Sequence, residues 1–90
     1  MPKYVIEREL PGAGQLSSEE LHAISVKSNE VLAGMSGRAT WQQSYVTDDK
    51  IYCVYVADNP EAVLEHATAG GFPANKISRV ASVIDPSSGE

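Results

Sequence analysis

Three side chains in this sequence have the chemistry of a site: His66, Glu7 and Cys53. An imidazole can ligate a metal or relay a proton near neutral pH. His66 follows Val63 by three residues and adjoins Ala67, which puts it at the edge of the buried stripe of a helix. It is either a ligand or base there, or a half-buried side chain bonded to a carbonyl. Glu7 alternates with Ile6 and Arg8 along an extended run, so it points with Val5 and Glu9, away from Tyr4 and Ile6. A carboxylate sheltered on that face either serves as a ligand or base or pairs with Arg38 or Arg79 from another strand. Cys53 is either a soft ligand or nucleophile or, mid-strand among apolar neighbours, an inert buried thiol.

A second set is aromatic. Read at period two, Trp41, Gln43 and Tyr45 share one face of a strand, and Cys53 and Tyr55 share one face of the next. Aromatic side chains with polar tips pack with the tip hydrogen-bonded. Trp41, Tyr45 and Tyr55 are also the types that line a small pocket for an apolar ligand. Other candidates carry less. His22 lies on the polar side of its helix, and the two histidines lack the i, i+4 spacing of a helical zinc motif. Asp48 and Asp49 lack the further oxygens of a cation loop and suit a turn. Gly12, Gly14, Gly70 and Gly71 form no phosphate-binding fingerprint.

The elements that must position these residues are legible. Lys3 to Glu9 favours an extended strand, ended by the turn residues Pro11 to Gly14. Ser17 and Glu20 form a capping box ahead of a helix, whose buried stripe is Leu21, Ile24, Ser28, Val31, Leu32 and Met35. Gly34 or Gly37 supplies its left-handed stop. Arg38 to Thr47 and Ile51 to Ala57 are extended runs joined by a short polar turn, which predicts an antiparallel hairpin. Asn59 caps a second helix with Pro60 in its first position, and Gly70-Gly71 stops it. Lys76 to Ile84 reads as the last strand, and residues 86–90 as a flexible tail to a single domain over 1–85.

The order βαββαβ is that of two split β-α-β units. Right-handed crossovers place both helices on one face of a four-stranded antiparallel sheet, with the first and third strands central. This is the ferredoxin-like α+β two-layer sandwich. The third strand, Ile51 to Ala57, is apolar on both faces, whereas a strand with one wet face alternates. Two helices cover only one face, so the other is expected to meet a second copy in a homodimer.

Composition narrows the functions. A formal net charge of −5 with seven scattered basic residues leaves no footprint for nucleic acid or for an anionic membrane surface. A single cysteine permits neither an internal disulfide nor a thiolate zinc site. With no apolar leader at Met1-Pro2-Lys3-Tyr4 and no run long enough to span a bilayer, the expected location is the cytoplasm.

Several segments resemble a known family. These are Tyr4-Val5-Ile6-Glu7-Arg8-Glu9-Leu10-Pro11-Gly12, Trp41, Ser44-Tyr45-Val46, Asp48 to Tyr55, Glu65-His66-Ala67 and Gly71-Phe72-Pro73. Together they are similar to a family of short bacterial proteins known as a domain of unknown function. Its members are similar to dimeric ferredoxin-like proteins, and one branch is described as nickel-binding. The resemblance implies a ferredoxin-like dimer and a Ni²⁺ site with His66, Glu7 and Cys53 as candidate ligands, a donor set that suits this ion. A dimer would add ligands from both copies.

Two functions from different classes therefore stand at this point. One is a non-enzymatic nickel-binding protein that buffers or senses the ion, with no organic cofactor. The other is a small enzyme of the dimeric α/β-barrel kind, acting on an apolar or aromatic metabolite. Its pocket would be lined by Trp41, Tyr45 and Tyr55, with His66 or Glu7 as general base.

Overall fold

Alternation along two strands dictates the sheet. In the computed structural model, which describes residues Met1–Glu90, β1 (Lys3–Glu9) buries Tyr4, Ile6 and Arg8, and β3 (Lys50–Ala57) buries Ile51, Cys53, Tyr55 and Ala57. β1 and β3 pair antiparallel, so these buried series stand side by side on one face, Ile6 opposite Cys53 and Arg8 opposite Ile51. β2 (Ala39–Val46) flanks β3 and β4 (Lys76–Arg79) flanks β1, giving the order β2-β3-β1-β4. The first and third strands are central, as expected.

Two helices lie across the face that carries Tyr4, Ile6 and Tyr55. α1 (Ser18–Ala33) begins at the Ser17–Glu20 capping box, with both reciprocal hydrogen bonds formed. Leu21 and Ile24 are half-buried, and Ser28 is the only fully buried residue of α1. Its left-handed stop falls at the second of the two expected glycines. Gly34 keeps a right-handed backbone, and the left-handed turn comes later, at Ser36 and Gly37. α2 (Pro60–Gly70) is capped by the Asn59 side chain, which accepts the Ala62 N–H at 2.9 Å, and left-handed Gly71 stops it. It buries Ala62, Val63, His66 and Ala67 against β3 and α1. Neither helix is long and apolar enough to cross a membrane.

Two expectations are corrected. β2 contains a bulge at Gln42. Trp41 sits opposite Tyr55 but Gln43 sits opposite Val54, so an extra residue intervenes and the parity of β2 inverts. Trp41, Gln43 and Tyr45 therefore do not share a face. Trp41 and Ser44 face the helices, while Gln43 and Tyr45 face the open side. β4 ends at Arg79 instead of continuing to Ile84. Val80 N–H donates to the Lys3 carbonyl, at the first residue of β1, and beyond it no partner strand exists. Val83 and Ile84 are accordingly exposed. Residues 86–89 form a 3-10 turn capped by Asp85.

The opposite face carries Val5, Glu7, Tyr52, Val54 and Val56 from the central strands, with Tyr45 beside Tyr52 and 56% exposed. No element of the chain covers it. The hairpin connector braces the loop after β1. The Asp49 carboxylate accepts the Gly12 N–H at 3.0 Å, and the Leu10 and Gly14 amides donate to the carbonyls of Asp49 and Asp48. Turn chemistry thus accounts for Asp49, while Asp48 contributes its backbone carbonyl.

Candidate functional site: a cavity between sheet and helices

Arg8, Cys53 and Tyr55 converge under α1. Between it and the central strands lies a cavity of about 100 Å³. Leu10, Ile24, Trp41, Ile51, Tyr55 and Phe72 form most of its apolar wall, and Val46, 42% exposed, brings it to the surface. The Trp41 indole N–H donates to the Ser44 hydroxyl at 2.9 Å, a contact that the Gln42 bulge creates by putting both on the cavity side.

Arg8 is the unusual member. It continues the Tyr4–Ile6 series into the core and is only 5% exposed, yet no carboxylate pairs with it. Its Nε–H donates to the Cys53 sulfur at 3.3 Å, and one terminal nitrogen donates to the Pro73 carbonyl. The other, Nη2, is buried with no partner. The guanidinium lies 5.6 Å from the centroid of the Phe72 ring. That π contact offsets part of the desolvation cost, which for a buried ion is about several kcal/mol.

His66 lies fully inside instead of at the edge of its helix's stripe. Phe72, folded back after α2, stacks near one side of the ring at 5.6 Å, and Tyr55 tilts against it at 5.1 Å. Nε2 is 3.0 Å from the Ser28 hydroxyl and Nδ1 has no partner. The tautomer with its proton on Nε2 fits best, because it leaves a bare lone pair at Nδ1 and not an unpaired N–H. Burial, and then the nearby Arg8 charge, lower the His66 pKa below its ordinary 6.5, so the ring is neutral at neutral pH. Burial raises the Tyr55 pKa, with the neighbouring Ser28 hydroxyl and the Arg8 guanidinium offsetting part of the rise, so its phenol keeps its proton.

The structure brings together only some of the residues singled out by sequence. Trp41, Cys53 and Tyr55 line the cavity and His66 packs behind Tyr55. Tyr45 points to the open face and lines nothing. Glu7 also lies on the open face, where Lys50 approaches its carboxylate at 3.6 Å, in place of Arg38 or Arg79. Arg38 is instead paired with Glu65 through two hydrogen bonds on the surface, and that pairing lowers the Glu65 pKa. His22 is exposed. Sequence reasoning passed over Arg8 itself. Its signal was parity: Tyr4, Ile6 and Arg8 occupy one series, and that series is the buried one.

These features can be set beside known proteins. A family model described as nickel responsive protein SCO4226-like matches residues 4–80. The chain belongs to that family. The SCO4226-like fold is seen in the crystal structure of SCO4226 from Streptomyces coelicolor A3(2). That structure is similar to this one with a TM-score of 0.77, over 91% of this chain and 99% of that one, at 19% identity. No curated protein sequence matches the chain.

The family description raises the question of whether a divalent cation fits this SCO4226-like chain. In one copy, no three His, Cys, Asp or Glu side chains come together. Glu7 is separated from Cys53 and His66 by the thickness of the sheet. Cys53 accepts a hydrogen bond from a cationic guanidinium, and His66 Nε2 is engaged by Ser28. A dication in this wall would face Arg8 across a low dielectric, where like charges repel strongly. The cavity of a single SCO4226-like chain, as it stands, does not fit Ni²⁺.

Proposed function

We propose that this chain is a non-enzymatic nickel-binding protein that buffers or senses the ion, as the response-type description of its family suggests. The observation that carries this is the family match over residues 4–80. Because one copy supplies too few convergent donors, the metal is held where copies meet. The open sheet face provides the place. It is apolar along Val5, Val54 and Val56, and its carboxylate, Glu7, carries only a long contact to Lys50 that an incoming metal displaces. A two-fold assembly on this face would present Glu7 twice, and carboxylate oxygens from two copies begin a coordination shell that water completes.

Two results test this. Calorimetric titration of tag-free protein with Ni²⁺ is expected to show saturable binding. Glu7→Ala should weaken it at least tenfold, a loss of about 1.4 kcal/mol, while His66→Ala leaves it unchanged. Absence of binding overturns the nickel function. Binding that depends on His66 but not on Glu7 moves the metal into the cavity. Separately, Val54→Asp puts a charge in the middle of the open face, and light scattering is expected to find monomer where the wild type is a dimer. A dimer that survives both Val54→Asp and Val56→Asp rules out this face as the interface.

A further inference from the structure

The cavity under α1 has a use that the nickel function does not absorb. Its walls are carbon-rich, its volume of about 100 Å³ is of the order that accepts a single aromatic ring, and its one formal charge is a cation. Arg8 is held there with neutral partners only, the Cys53 sulfur and the Pro73 carbonyl, and Nη2 has none. A buried guanidinium without a counter-charge is costly to maintain, and a protein that binds no anion there would be served as well by methionine. The Tyr55 phenol, which keeps its proton, stands beside Arg8 and supplies a neutral donor at the same place.

We propose that this cavity binds a small organic monoanion, an apolar or aromatic body carrying one carboxylate, with Arg8 as the group that pairs with the acid. The body packs against Leu10, Ile24 and Trp41. The acid draws the guanidinium toward the cavity, exchanging neutral contacts for a charge-assisted, directional pair. Such a ligand is selected twice: the walls reject a hydrated inorganic ion, and the cation rejects a neutral analogue of the same shape. Binding of this kind does not require nickel, so its failure would leave the nickel function standing.

Benzoate and its neutral isostere benzamide are suitable probes, titrated calorimetrically into metal-free wild-type protein, Arg8→Met and Ile24→Trp. Wild type is expected to bind benzoate at least tenfold more tightly than benzamide. Arg8→Met, whose fold is checked by circular dichroism, should take both alike, and Ile24→Trp, which fills the space while keeping the charge, should take neither. Equal affinity of wild type for the two probes, or no binding of either, overturns the proposal, as does a benzoate preference that persists in Arg8→Met. If Arg8→Met does not fold, the wild-type preference and its loss in Ile24→Trp decide the matter in the same sense.

Discussion

Replacing Tyr55 by alanine is expected to cost about 3–5 kcal/mol of folding stability, the range seen when a buried aromatic ring is truncated. Tyr55 is 2% exposed and is the largest fully buried side chain of the protein. It stands mid-strand on β3, between Tyr4 of β1 and Trp41 of β2, with the His66 ring against it. Its loss would therefore leave a void with walls from three strands and α2, and β-sheet backbones do not collapse to fill such a space. Total stability for a domain of this size is on the order of 5–13 kcal/mol, so the variant would be unfolded or close to it at physiological temperature. Tyr55→Phe keeps the ring and is expected to change stability by no more than about 1 kcal/mol. Urea denaturation of the two variants against wild type checks both values. A loss below about 1 kcal/mol for the alanine variant would mean that the sheet–helix core is not organised around this ring.

Mild acid is expected to weaken the fold through His66. In the folded protein its pKa lies below the ordinary 6.5, chiefly because the ring is buried, and in the unfolded chain it returns to about that value. As the pH falls below about 6.5 the unfolded state gains a proton that the folded state refuses. Folding stability from this group is thus complete above that pH. It declines as the pH falls from there toward the lowered folded-state pKa, with a slope that approaches about 1.4 kcal/mol per unit. The charges and titratable groups around the ring act in the same sense or not at all: Arg8 is a fixed cation, and Tyr55 keeps its proton throughout the window. Urea midpoints between pH 7.5 and 5.5 should fall in wild type. In His66→Gln, which retains a partner for Ser28 but no titration, they should stay level. Parallel slopes in the two proteins would show that another group governs acid sensitivity.

Much of this was legible because local chemistry and tertiary structure agree. Ser17 with Glu20, Asn59 with Pro60, and Gly71 mark their helix ends, and the period of two in β1 and β3 assigns each residue to its face. What escaped sequence reading depends on contacts remote in the chain. The Gln42 bulge adds a residue to β2 without changing its composition, so Trp41 and Tyr45 look equivalent and are not. The last strand stops where β1 begins, a limit set by the pairing of Val80 with Lys3, and Val83 and Ile84 are as strand-like in type as any residue before them. His66 is central and not marginal because Phe72, six residues later, folds over it. The cavity was expected in kind, with Trp41 and Tyr55 in its wall, but its charge was not. Arg8 has the composition of a surface residue and the parity of a core residue, and only the second is correct.

The two walls of the cavity differ in stiffness. Its floor is the pair of central strands, hydrogen-bonded along their whole length and carrying Arg8, Cys53 and Tyr55. Its roof is α1, sixteen residues of which Ser28 alone is fully buried, with no basic side chain in the last turn to steady its end. Lifting or tilting the roof disturbs few enclosed contacts and leaves the hydrogen-bonded ladder intact, so it costs far less than global unfolding. A guest larger than the resting space is therefore accommodated by the helix while the sheet keeps the backbone of Arg8 fixed. Breadth of fit comes from the roof and choice of charge from the floor, and the two can vary independently.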